Sequence, residues 1–178
     1  MTRTAVLVID MLNTYDHPDA EQLAANVAEI IDPLADLIAR ARSRDDVDLV
    51  YVNDNRGDFG ADKRDLVRAA LHGERADLVE PIAPGEGCMF LTKVRHSAFY
   101  ATPLDYLLGR TGAQRIVLTG QVTEQCILYS ALDGYIRHLD VVVPTDAVAP
   151  IFPELGDAAL TMMRRNMSAD LVSAADCL

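Results

Sequence analysis

The 178-residue chain is 50% apolar and carries a formal net charge of -11. That length and apolar share suit one domain, residues 1–178, with a continuous core. The negative charge repels phosphate backbones and anionic lipid, and no Lys/Arg cluster offsets it locally, which argues against nucleic-acid and membrane partners.

The opening "MTRTAVLVID" has an apolar run over 4–9 that meets Asp10 too soon for a signal peptide or a membrane span, so a cytoplasmic protein is expected. Similar short runs recur at 47–52, 89–94, 115–119, 140–143 and 169–173. They are rich in Val, Ile and Leu without polar alternation, the pattern of strands buried on both faces in a parallel sheet. Between the first two, Leu23, Val27, Ile30, Leu34, Leu37 and Ile38 recur at helical spacing, with Pro33 expected to kink or break that helix. Further helices are expected over 63–71, 102–110, 123–137 and 154–166, and loops over 53–62 and 80–87. The alternation predicts an α/β fold, a three-layer doubly wound sandwich around a mostly parallel sheet of about six strands.

Ligands of such sheets bind beyond the carboxyl ends of the strands, where the strand order reverses. No G-x-G-x-x-G or P-loop follows the first strand, so neither a dinucleotide nor a nucleotide phosphate is indicated, and no cofactor is expected. Asp10, Asp54, Lys93 and the turn "TGQVTEQC" (119–126) fall at or near strand ends. With Thr123 as N-cap, Cys126 would lie in the first turn of a helix, where the macrodipole favours thiolate and free N–H groups can hold an oxyanion.

Each of these residues has a plain structural reading as well. Cys126 can be a small buried hydrophobe, as Cys88 and Cys177 are taken to be; the odd count without a C-x-x-C pair argues against disulfides or structural zinc. Asp10 is either the base for the thiol or a turn cap. Lys93 either has a buried partner or sits at an edge with its ammonium reaching outward.

Taken in order, "VLVIDMLNTY", "KVRHSAFYATPLDYLL" and "LTGQVTEQCILYSALDGY" resemble the motifs that carry the Asp, Lys, Cys triad of the isochorismatase-like cysteine hydrolases. The resemblance covers nearly the whole chain. It implies that Asp10 takes the thiol proton, Lys93 stabilises charge and Cys126 attacks the carbonyl of a small amide to form a thioester. It also implies a cis peptide between Gln121 and Val122, an oxyanion hole of the Val122 and Cys126 N–H groups and a homo-oligomer, and Tyr15 stands where similar proteins place an aromatic lining the substrate pocket, with ordinary loop packing as the other reading.

Asp54 and Gln121 are further candidates for substrate contact. Phe59, His96, Phe99 and Tyr100 either line a pocket or an interface or belong to the core. Nicotinamidases of the family usually carry an Asp-x-His pair and a later His that hold a metal, whereas Asp54 here is followed by Asn55 and Arg56, and His17, His72 and His138 lack ligand-like spacing. Isochorismatases proper lack the nucleophilic cysteine. The resemblance therefore implies a metal-independent cysteine hydrolase cleaving the C–N bond of a small amide or ureido/carbamoyl compound. A nicotinamidase, an acid-catalysed isochorismatase-type hydrolase and a catalytically idle binding module are the alternatives.

Overall fold

The computed structural model describes residues 3–178. In chain order the main elements are β1 (Arg3–Ile9), α1 (Ala20–Arg42), β2 (Val47–Asp54), α2 (Lys63–Leu71), α3 (Ala76–Val79), β3 (Met89–Lys93), α4 (Leu104–Thr111) and β4 (Ala113–Gln121). A π-helical turn (Thr123–Ile127) leads into α5 (Leu128–Ile136), followed by β5 (Asp140–Pro144), β6 (Val148–Ala149), α6 (Pro153–Met167) and β7 (Asp170–Val172).

The strands form one open sheet in the order β3-β2-β1-β4-β5-β7, with β6 pairing the end of β4. Every pairing is parallel. The predicted fold class therefore holds, with seven strands in place of about six. The extra one is β6, two residues long and too short to leave an apolar run in the sequence.

β1 shows why its residues read as a doubly buried strand. Val6 and Val8 face α1, α2 and α3, while Ala5, Leu7 and Ile9 face α4, α5 and α6. All five are at most 1% exposed.

Pro33 neither breaks nor ends α1, which runs unbroken for 23 residues. The carbonyl that proline leaves without its helical partner belongs to Glu29, an exposed residue on the side of the helix where water can satisfy it. Among the described residues no helix is long and apolar enough to cross a membrane.

Strand order reverses between β1 and β4. From β1 the chain steps outward to β2 and β3, then returns to the far side of β1 for β4. The ends of these two central strands, Ile9-Asp10 and Gly120-Gln121, bound the crevice where a doubly wound sheet binds its ligand.

Candidate active site

Asp10 leaves β1 with φ 55°, a left-handed conformation that an aspartate tolerates better than most residues. Its main chain is held on both sides, the N–H donating to Val52 O at 3.0 Å and the C=O accepting from Gln121 Nε2 at 2.6 Å. Its Oδ1 accepts from the Asp54 N–H at 2.8 Å, and its Oδ2 lies 2.8 Å from Lys93 Nζ. Asp10 is thus a fixed carboxylate and more than a turn cap.

Lys93 resolves both halves of its sequence ambiguity. β3 is an edge strand, yet Lys93 is 1% exposed because its side chain runs inward to Asp10. Its Nζ also donates to Arg95 O at 3.1 Å, stands 3.5 Å from Asp54 Oδ2 and lies 3.7 Å from Cys126 Sγ.

Cys126 is buried, 7% exposed, and close enough to the Asp10 carboxylate to feel its charge. The peptide that joins Gln121 to Val122, four residues before it, is cis. Burial, and then the charge of Asp10, push the thiol well above its ordinary pKa, while Lys93 pulls the other way. This corrects the expectation of a helix-stabilised thiolate. Cys126 sits in a π-helical turn, the cap position is Val122, and the Thr123 hydroxyl is buried without a hydrogen-bond partner instead of capping. The resting group is a thiol with a carboxylate beside it.

Gly120 makes the approach of β1 and β4 possible. At φ 102° any Cβ would lie 2.2 Å from Ile9 O, closer than atoms pack. The stretch "KVRHSAFYATPLDYLL" also acquires a physical role. The Ser97 hydroxyl donates to Asp133 Oδ2 at 2.5 Å, the Ala98 N–H donates to Ser130 Oγ at 2.9 Å, and the Thr102 hydroxyl donates to Ala98 O at 2.6 Å. Asp133 and Ser130 belong to α5, so the loop after Lys93 is fastened to the helix that begins just beyond Cys126.

Two clefts open near the strand ends and share Asp54. One, about 520 Å³, is lined by Asp10, Asn53, Asp54, Arg56, Gln121 and Val122 among others. The other, about 480 Å³, includes Asp54, Phe59, Arg95, His96 and Tyr100. Phe59, 83% exposed, lines the second cleft, and Gln121 lines the first. Tyr15 departs from the expected pocket lining: it is 2% exposed, and its hydroxyl lies 3.5 Å from Gln121 Oε1, behind the residue that meets the cleft. Phe99 is core, beneath the Arg137 guanidinium.

The structure adds two residues. The Asn53 side chain accepts from the Leu12 N–H at 2.9 Å and donates to Leu12 O at 3.2 Å, bracing the loop that carries Asp10. His96, one of several aromatics undecided in the sequence, has Nδ1 4.0 Å from Cys126 Sγ. Its place two residues beyond a strand end is the only sequence signal for it.

The metal held by nicotinamidases of this family finds no fitting donor set here. Arg56, a cation and no metal ligand, stands two residues after Asp54, and its guanidinium pairs with Asp16 and Thr14. Among the described residues no cluster of three or more His, Cys, Asp or Glu side chains is arranged to hold an ion.

The family model for the isochorismatase domain matches residues 4–176. The chain belongs to the isochorismatase family. It is 31% identical over 169 residues to the uncharacterized isochorismatase family protein YaaI of Bacillus subtilis, covering 95% of this chain and 93% of that one. It is 30% identical over 156 residues to a maleamate amidohydrolase of Pseudomonas putida, covering 82% of this chain and 72% of that one. An isochorismatase-like hydrolase from Alkaliphilus metalliredigens has the same fold, with a TM-score of 0.77 at 24% identity over 98% of this chain and 88% of that one.

Proposed function

We propose that this isochorismatase-family protein is a metal-independent cysteine amidohydrolase that cleaves the C–N bond of a small amide or ureido compound through a thioester on Cys126. Hydrolysis of non-peptide C–N bonds is the activity named for its Pseudomonas putida relative, a maleamate amidohydrolase. The observation that carries the reading is the meeting of three strand ends around one ammonium: Lys93 Nζ lies 3.7 Å from Cys126 Sγ and 2.8 Å from Asp10 Oδ2.

The chemistry follows from that geometry. A buried thiol with a raised pKa is a poor nucleophile until a base removes its proton, and Asp10 is the carboxylate whose charge acts on it, held nearby through Lys93. As the sulfur attacks the carbonyl carbon, its proton passes to Asp10. Lys93 compensates the negative charge that remains, and the Val122 and Cys126 N–H groups receive the oxyanion. Asp10 then returns the proton to the departing nitrogen as the C–N bond breaks, leaving an acyl group on Cys126. Clefts of about 520 and 480 Å³ suit small substrates, with Asp54, Gln121 and Phe59 placed to touch them.

The test is intact-mass analysis after exposure to a panel of small amides. An acyl adduct confined to Cys126 and absent from Cys126→Ala is the expected result. Turnover without any adduct, retained in Cys126→Ala, would exclude the thioester route.

A further inference from the structure

Acylation through Asp10 sends the thiol proton away with the amine. Completing the cycle needs a base for the hydrolytic water and a proton for the sulfur when the thioester breaks. Asp10 is poorly disposed for a second task, since its oxygens are held by Lys93 and the Asp54 N–H and its side chain is only 16% exposed. Lys93 is saturated by Asp10, Asp54 and Arg95 O.

His96 is differently placed. It is solvent-exposed, it lines the cleft of about 480 Å³, and its Nδ1 stands 4.0 Å from Cys126 Sγ. The ring is oriented from two sides. Its centroid lies 5.5 Å from that of Tyr129 at 45°, and the segment that carries it is fastened to α5 through Ser97, Ala98 and Ser130. Tyr129 is itself on α5, immediately after the nucleophile turn, so the distance from imidazole to sulfur is set by one short stretch of structure.

We infer that His96 is the base of the second half-reaction, taking a proton from the water that hydrolyses the thioester and handing it to the Cys126 sulfur. This rests on the thioester reading and adds a division of labour to it. Water attacks the thioester carbon and forms the C–O bond, and its proton goes to Nδ1. The tetrahedral species collapses with cleavage of C–S, and the sulfur leaves with the bonding pair and receives the proton from Nδ1. The products are a carboxylic acid and the starting thiol. Asp10 serves acylation from the buried side, and His96 serves deacylation from the side that water reaches.

The probe is p-nitrophenyl acetate, which releases nitrophenolate on acylation and acetate on deacylation. It is applied to the wild-type protein, to His96→Phe, which retains a ring against Tyr129, and to His96→Ala. Expected for both variants is a burst of about one nitrophenolate per chain at a rate within about twofold of wild type, followed by a steady state slowed about a hundredfold, the lower range for loss of one general base. The acetyl group should accumulate on Cys126 by intact mass. Hydroxylamine, which attacks a thioester without needing a base, should restore turnover in the variants.

Burst and steady state falling together, or a steady state within about twofold of wild type, would reduce His96 to packing and leave the thioester reading intact. No acylation of Cys126 in any of the three proteins would overturn both.

Discussion

Lys93 Nζ and Asp10 Oδ2 stand 2.8 Å apart in a pair whose lysine is 1% exposed. Burial pushes the Asp10 carboxyl above its ordinary pKa against the pull of Lys93; burial works to lower Lys93, and the negative charge of Asp10 leads the effects that more than reverse it. The ammonium stays charged, and the carboxyl is a stronger base than an exposed aspartate, the property needed to deprotonate a thiol.

The two members of this pair should act on the thiol with opposite sign. Asp10 raises the Cys126 pKa and Lys93 lowers it. Asp10→Asn should therefore shift the midpoint of the pH profile for Cys126 alkylation downward, and Lys93→Met should shift it upward. Iodoacetamide labelling followed by peptide mass analysis measures both, and shifts in the same direction would show that these charges do not control the sulfur.

Turnover should depend on the same groups unequally. Cys126→Ala should abolish hydrolysis while unfolding remains cooperative, because the change removes one sulfur atom. Asp10→Asn should lower the chemical step by roughly two to four orders of magnitude, the range for one general base. Less than a tenfold fall would leave Asp10 with the structural duty of holding the Asp54 and Gln121 contacts.

Gly120→Ala tests the join between β1 and β4. Its Cβ would lie 2.2 Å from Ile9 O at φ 102°, so the strands must part. A loss on the order of 3 kcal/mol in denaturant unfolding is expected, as for a steric clash in a core with an unfavourable backbone conformation. A stability within about 0.5 kcal/mol of wild type, the range of harmless surface changes, would mean that the approach relaxes easily.

Chelation should leave activity unchanged. Arg56, a cation paired with Asp16 and Thr14, follows Asp54 at the two-residue spacing where a metal site would need a ligand, and in the proposed mechanism Lys93 and backbone N–H groups supply the charge stabilisation. Activity lost on exhaustive dialysis against EDTA and restored by zinc, manganese or iron would contradict this and favour nicotinamide among the substrates.

Much of this protein is written locally. Runs of Val, Ile and Leu such as 4–9 have no polar face because both faces of the sheet are covered, so strand positions and the doubly wound class follow from periodicity alone. Asp10, Lys93 and Cys126 were visible because each interrupts or follows such a run, where an ionisable or reactive group is costly without a partner.

What local pattern could not decide depended on distant chain segments. Pro33 sits inside a continuous helix, with the carbonyl it leaves unpaired on exposed Glu29, and the two-residue β6 is a strand by virtue of its pairing with β4. Thr123 was an apparent cap, but the chain turns into a π-helical segment there and leaves its hydroxyl buried without a partner. The state of the Cys126 thiol followed the same rule: a nearby helix start argues for thiolate, whereas desolvation and the Asp10 charge, contributed by a strand more than a hundred residues earlier, hold it protonated. Residue types and spacing determined which groups can react; their burial and charge neighbours, set when β1, β3 and β4 meet, decided their protonation and which of them touch.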